Sequence, residues 1–579
     1  MLRIRRRPLD ALEAIRSERR LFSRHGTPAP MKRVQRLALP LLVMSILLAG
    51  CSNAGDSRGD SPATPVADRT VAPSGDGNDD SMVAASDRDR QGAAPPLLLI
   101  SIDGFRHDYI DRVELPALQR LADEGLRADS LQHVFPTKTF PTHYAVVTGL
   151  YAENTGVVAN NMWDPKRKSR FSLGNRDAVG DGYWYDGEPI WNTVEKAGKI
   201  AATYFWPGSE AQIGGMRPSI WKPYAGDTPH DVRIDQVLSW LDLAADERPD
   251  FLTLYFSAVD SAGHRHGPEH PETADAMREV DRALGRLIEG LEQRGLLGRM
   301  HILVTSDHGM AEIDLERYVL LDADLGLELD RVNVSDWGPA AQIWTLEGGP
   351  SADEIVEQLR SGSEGIRRVW KKGEAPARYH FDDHQRVPDV TAEAEPGWML
   401  SNKPYFAGMQ RGLLNGMHGW DPAWRDMHGL FLAHGPAFEA GERLPAVRSI
   451  DLYSLMAELM DVPPAGTDGS LAAFEALLAD GESLRVNEQT WDCGPGRRWT
   501  TRTAPGLTAL HAGRFVYALP QIRSEEANKG ARFVSDEVEV VLDGDRARIR
   551  TEEGSALDCR ALERTASDAT TTGTDVETS

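Results

Sequence analysis

Three aspartates stand where apolar runs stop. Leu97-Leu98-Leu99-Ile100-Ser101-Ile102 leads into Asp103-Gly104. Phe251 to Phe256 leads to Asp260, with His264 four residues on, and His301 to Ser306 leads into Asp307-His308-Gly309. One aspartate in such a place reads as a helix cap. Three of them, two accompanied by a histidine, make a donor set of carboxylates and imidazoles that suits zinc. A fourth piece, Gly416-Met417-His418-Gly419-Trp420, carries one histidine between glycines and on its own reads as a loop histidine. A fifth, Phe135 to His143, has two prolines bracketing Thr137, Lys138 and Thr139, which constrains the backbone. A hydroxyl near a helix start and close to metal ions becomes a nucleophile, because the metal lowers its pKa and holds the alkoxide toward phosphorus. By composition alone the same segment reads as a proline-rich connector with solvated threonines.

These residues need a scaffold. The three apolar runs have the length and continuity of strands buried on both faces. Between the second and third, Met277, Val280, Leu284, Leu287, Ile288 and Leu291 recur at helical spacing, and Gly295 follows as a C-cap. Strand, helix, strand is a βαβ unit, so the expected class is α/β with a mostly parallel central sheet flanked by helices. In such sheets sites form beyond the carboxyl ends of the strands, where all the aspartates lie. Asp260 to His264 is expected as a short loop, and Asp451 to Met460 as a further helix.

The chain has 579 residues with formal charge 64 − 88 = −24. So acidic a molecule is unsuited to gripping long nucleic acid, whereas a local cation can still attract a small anionic substrate. Residues 37–50 form a short apolar run after Lys32, Arg33 and Arg36, about two thirds of the ~20 residues that a spanning helix needs. Leu48-Ala49-Gly50-Cys51 resembles a bacterial lipoprotein signal, which implies lipidation of Cys51 and a place in the cell envelope facing the periplasm, with Ser52 fitting the outer membrane. Residues 1–50 are thus read as a signal region whose true start is Met31. Residues 51–95, rich in Ser, Gly, Asp and Pro, are read as a disordered tether. In an oxidising compartment Cys493 and Cys559 are expected to pair. Residues 486–579 read as a small β-rich appendage, with a hairpin around Val538–Gly544, and a disordered tail.

Taken together, Asp103-Gly-Phe-Arg106, the segment from Phe135 to Pro165, Asp260–Pro268, Ser306–Met310 and Phe431–Pro436 closely resemble the nucleotide pyrophosphatase/phosphodiesterase family of the alkaline phosphatase superfamily. The resemblance implies an alkaline-phosphatase-like catalytic domain over 96–485, with a variable cap at about 311–415. It implies two zinc ions per chain. Asp103, Thr139, Asp307 and His308 would hold one, and Asp260, His264 and His418 the other, with His428 and His434 competing for the role of His418. Thr139 is implied as nucleophile through a phosphothreonine intermediate. Asn160 is implied as donor to a phosphate oxygen, with its neighbour Asn161 as competitor. Phe140 and Tyr224 are implied as walls of a base pocket, and Tyr255 as part of its lining. The family's asparagine before the histidine is Thr142 here. The expected activity is hydrolysis of small phosphodiesters or nucleotide pyrophosphates. A lipid-headgroup phosphodiesterase, a phosphomonoesterase of the same superfamily and a non-catalytic binding lipoprotein are the alternatives. The oligomeric state is open.

Overall fold

The computed structural model describes residues 94–362, 364–412, 414–478, 484–522, 530–552 and 554–562. The signal region, Met31, Cys51, nearly all of the tether and the tail beyond residue 562 lie outside the described residues.

The chain runs through β1 (Leu97–Ile102), α1 (Pro116–Asp123), β2 (Leu126–Ala128), α2 (Thr139–Thr148), β3 (Ala201–Tyr204) and β4 (Ile220–Lys222). Then come α3 (His230–Leu241), β5 (Phe251–Phe256), α4 (Ala258–His266), α5 (Pro271–Gln293), β6 (His301–Thr305), β7 (Phe431–His434), β8 (Glu442–Leu444) and α6 (Asp451–Leu459). The eight strands form one sheet in the order β8-β2-β7-β6-β1-β5-β3-β4. β1 lies parallel between β5 and β6, with Ile100 opposite Leu254 and Val304. β7 runs antiparallel to β6 and β2.

The continuous apolar runs follow from burial on both faces. Leu97 and Leu99 join one core with Tyr144 and Val147 of α2 and Leu452 and Met456 of α6. Leu98, Ile100 and Ile102 join the opposite core with Leu118 of α1, Ile234 of α3 and Leu284 and Ile288 of α5. Each such side chain contributes about 1.5–3 kcal/mol when fully buried. α5 starts on Pro271, whose missing N–H costs nothing there. It ends where Gly295, at φ +62°, lets Leu296 N–H reach back to Leu291 O at 2.8 Å.

One expectation is corrected here. Asp260 to His264 is no loop: Ala258–His266 is helical, so the two ligand candidates are i,i+4 neighbours on one face. Gly263 sits inside that helix, against Met310, where an added Cβ would come within 3.0 Å of its methyl.

Within the expected cap span, strands Val332–Asp336, Ala340–Thr345, Val390–Ala394 and Ile366–Lys371 form an antiparallel sheet, with helix Ala352–Arg360 packed on it. The C-terminal part is more than a hairpin. Strands β9 (Asn487–Asp492), β10 (Arg498–Ala504), β11 (Leu507–Ala512), β12 (Phe515–Ile522), β13 (Ala531–Ser535), β14 (Val538–Asp543), β15 (Arg546–Arg550) and β16 (Leu557–Ala561) close into a barrel. Trp491, Leu510, Leu519, Phe533, Val540 and Ile549 belong to its buried core. β9 and β16 meet over two register pairs, Trp491 with Ala561 and Asp492 with Arg560, and the disulfide Cys493–Cys559 ties that seam. No helix among the described residues is long and apolar enough to cross a membrane.

Candidate active site

β1, β5 and β6 deliver their aspartates to one place. Asp103 N–H donates to Phe256 O at 2.8 Å, and Asp260 N–H donates to Asp103 O at 3.0 Å. The chain turns at Gly104, whose φ of +70° and closeness to α4 leave no room for a side chain: a Cβ would lie 2.8 Å from Asp260 Cα. Gly104 N–H donates to Asp307 Oδ1 at 3.0 Å. Tyr255 Oη donates to Asp103 Oδ2 at 2.5 Å.

The three histidines are oriented alike. Nδ1 of His264 lies 2.8 Å from Gly416 O, Nδ1 of His308 2.8 Å from Gly309 O, and Nδ1 of His418 2.8 Å from Thr137 O. A carbonyl only accepts, so each Nδ1 carries the proton and each Nε2 is left as a lone-pair donor. His264 Nε2 stands 3.2 Å from Asp260 Oδ1, and His418 Nε2 3.7 Å from the same oxygen. His308 Nε2 stands 3.1 Å from Asp307 Oδ2 and 3.4 Å from Asp103 Oδ1. The rings of His308 and His418 stack with centroids 3.4 Å apart.

Asp103 Oδ1, Asp260 Oδ1, Asp307 Oδ2 and His308 Nε2 are buried without a hydrogen-bond partner. Leaving such atoms unpaired is costly, and three carboxylates in one buried space repel each other. Burial, then the charges of Asp307 and Asp260, push the Asp103 carboxyl well above its ordinary range. Burial opposes the charge on Asp307 too, but His308 and His143 outweigh it and hold that carboxyl well below its ordinary range. Convergent carboxylate and imidazole lone pairs with no donor among them fit divalent cations. The ligand atoms of Asp260, His264 and His418, and those of Asp103, Asp260 and His308, lie within 4.8 Å of one another in each set. Asp103, Asp307 and His143 form a third such set. His143 is engaged at both nitrogens, however. Its Nε2 is 2.8 Å from Ser101 Oγ, and its Nδ1 is 2.8 Å from Thr139 O and 3.2 Å from Asp307 Oδ2. Committed to Ser101 and Thr139, it is not free to ligate.

Thr139 opens α2, with Lys138 as the extended residue before it. From His133 to Gly149 it is the one residue not buried. Pro141 is tolerated in the first helical turn. Thr142 donates its hydroxyl to Lys138 O at 2.7 Å. Asn160 Oδ1 accepts Phe140 N–H at 2.9 Å, which sets Asn160 beside the threonine, whereas Asn161 turns away and donates to Asp336 Oδ1 at 3.0 Å. His428 and His434 stay apart from the cluster: His428 Nδ1 bonds Ser130 Oγ at 2.8 Å, and His434 lies in β7.

The aromatic expectations fare differently. Tyr224 is 38 % exposed, with its ring 6.0 Å from that of Tyr255, and stands at the rim. Phe140, expected as a pocket wall, is 7 % exposed and packs edge-to-face on Phe171 at 5.4 Å in the core. Tyr255, expected as pocket lining, is buried and commits its hydroxyl to Asp103. Sequence reasoning did not single out Thr137, whose hydroxyl donates to Trp420 O at 2.9 Å and accepts Gly419 N–H at 3.1 Å. Its place two residues before Thr139, between the prolines, was the available signal.

Residues 97–421 match the model of the type I phosphodiesterase / nucleotide pyrophosphatase family. Ectonucleotide pyrophosphatase/phosphodiesterase family member 1 of Mus musculus is 36 % identical over 393 residues, which are 66 % of this chain and 43 % of that protein. Venom phosphodiesterase of Naja atra is 36 % identical over 401 residues, 66 % of this chain and 46 % of its own. The chain thus spans less than half the length of these curated relatives. Human ectonucleotide pyrophosphatase / phosphodiesterase 5 aligns with TM-score 0.62 and 34 % identity over 66 % of this chain and 99 % of that structure. The murine protein, solved as an inactive alanine-for-threonine variant in complex with AMP, gives the same TM-score and identity over 66 % and 100 %. With its alkaline-phosphatase-like sheet and the strand-end aspartates in place, the chain belongs to the type I phosphodiesterase / nucleotide pyrophosphatase family.

Proposed function

We propose that this protein hydrolyses small phosphodiesters, nucleotide diesters and pyrophosphates foremost, through attack by Thr139. The observation that carries the reading is the set of unpartnered, buried carboxylate and imidazole atoms beside a half-buried threonine at a helix start. Two zinc ions, held by Asp260, His264 and His418 and by Asp103, Thr139, Asp307 and His308, would supply Lewis acidity at the attacking and leaving oxygens when bound. Thr139 Oγ gives its proton to solvent and forms a bond to phosphorus. The bond to the leaving alcohol or phosphate breaks on the opposite side, and water then cleaves the phosphothreonine. Asn160, fixed through its Oδ1, offers its amide N–H to a non-bridging phosphate oxygen. The N-terminus of α2 adds partial positive charge to the same place. Tyr224, exposed at the rim, is the aromatic surface for a base. The AMP complex of the murine relative, obtained with an inactivating alanine-for-threonine replacement, supports a nucleotide substrate and a threonine in the reaction.

The substrate is small and the acidic chain has no use for long nucleic acid. The chain's place is the cell envelope, anchored through Cys51, and the Cys493–Cys559 disulfide suits that oxidising compartment.

The test is to mix the protein with a nucleoside p-nitrophenyl phosphodiester, stop with acid, digest, and weigh the peptide containing Thr139. A nucleotidyl adduct on Thr139 is expected. Turnover with the adduct on another residue, or with none in single-turnover trapping, contradicts the reading. A substrate scan in which headgroup diesters or monoesters outrun nucleotides would move the protein to one of the alternative chemistries.

A further inference from the structure

The segment that carries His418 packs against the C-terminal barrel, and the junction is built from buried charge. Asp421, three residues after His418, is fully buried. Arg378 donates to its two oxygens at 2.7 and 2.5 Å, Arg367 donates at 2.9 Å, and Ala423 N–H donates at 2.9 Å. Arg378 is gripped from its far side by Glu552, at 2.8 Å through Nε and 3.0 Å through Nη2. Glu552 also accepts from Arg368 at 2.8 Å. It lies in the turn between β15 and β16, the strand that bears Cys559. The backbone adds a second grip. Val516 N–H donates to Ala423 O at 2.7 Å, Arg425 N–H donates to Arg514 O at 3.0 Å, and Trp424 bridges Phe515. On the other side, His418, Gly419 and Trp420 are each bonded to Thr137, two residues before Thr139.

A buried ion network gives little net stability, because the desolvation of each charge consumes most of the attraction. What such a network does supply is a fixed geometry, and here the group being fixed is the loop of a candidate metal ligand.

We propose that the barrel is a positioning device for the active site: through Glu552, Arg378 and Asp421 it sets His418. Glu552, Arg378 and Asp421 are positioning residues. The inference rests on the metal reading above.

The test uses the full chain, stripped of metal and titrated with cobalt(II), whose visible bands report ligand geometry. Wild type, Glu552→Gln and Arg378→Lys are compared. Arg378→Lys keeps the charge but loses the two-pronged contact, so it serves if Glu552→Gln does not fold. Wild type is expected to bind two ions. The variants are expected to bind one of them normally and the other about tenfold or more weaker, with altered bands for that ion. Unchanged affinities and bands in a folded variant overturn the inference. So does equal weakening of both ions together with a lower unfolding midpoint, which would be general loosening. Wild type that binds no cobalt overturns the metal reading itself, and this inference with it.

Discussion

Asp103 receives one hydrogen bond, from Tyr255, and its other oxygen faces the cluster. Replacing Tyr255 by Phe removes that one donor and keeps the ring, which packs against His143 at 5.3 Å. Tyr255→Phe is expected to weaken metal retention by about 10–100-fold with the fold intact. The chelator concentration that halves activity measures it, and an unchanged value would mean that Asp103 is oriented by the backbone alone. At this scale the sequence was legible for Asp103, Asp260 and Asp307, because an apolar run ending in an aspartate points to one place in an α/β sheet. The sequence could not say how deeply Phe140 and Tyr255 are buried. An aromatic residue beside a site fills the core as readily as it lines a pocket, and only packing decides. What separates Asn161 from Asn160 physically is Asp336, 175 residues away from Asn161 in the chain.

Among the elements, β1, β5 and β6 announced themselves by continuous hydrophobicity and α5 by its apolar face. α4 did not, since Asp260-Ser-Ala-Gly-His264 has no apolar stripe and contains a glycine that propensity would reject. The glycine that argues against a helix is there because the helix packs on Met310, where an added Cβ would come 3.0 Å from the methyl, a tertiary contact no local pattern reveals. The barrel was read only as a small β-rich appendage with one hairpin. Its strands are short and half-exposed, and closure pairs β9 with β16, contacts that no local pattern reveals. The tightest joint between elements is Gly104. Gly104→Ala must adopt φ +70° and press on the backbone of α4. The strained backbone alone costs about 1–3 kcal/mol. The variant is expected to show a lower unfolding midpoint and reduced metal content together. A wild-type midpoint and full metal content would show that β1 and α4 can separate without harm to the site.

Over the whole molecule, cap, core and barrel meet at Arg367, Arg368, Arg378, Glu393, Asp421 and Glu552. Burial, and then the charge of Asp421, push the Glu393 carboxyl up to about 7. The folded protein therefore holds a proton there that the unfolded chain releases near the ordinary glutamate value. The stabilisation is complete at pH below that value and is lost as the pH rises toward 7. Denaturant midpoints at pH 5 and pH 7.5, taken for wild type and Glu393→Gln, measure it. The fall in stability between the two is expected to be smaller in the variant, and equal falls would contradict the assignment.

The acidic chain draws an anionic substrate to one place only if that place holds compensating positive charge. Everything proposed here then turns on whether Thr139 and the Asp/His cluster act together on a diester. The direct measurement compares hydrolysis of a nucleoside p-nitrophenyl phosphodiester with that of p-nitrophenyl phosphate, for wild type and Thr139→Ala, with and without chelator. The diester should be strongly preferred, and its hydrolysis should fall by about 10³-fold or more in Thr139→Ala, as when other catalytic nucleophiles are removed. With Asp103, Asp307 and His308 still in place, metal should be held in that variant, if less tightly, and activity should vanish with chelator. Equal diester rates in wild type and Thr139→Ala, or full activity in chelator, would contradict the mechanism.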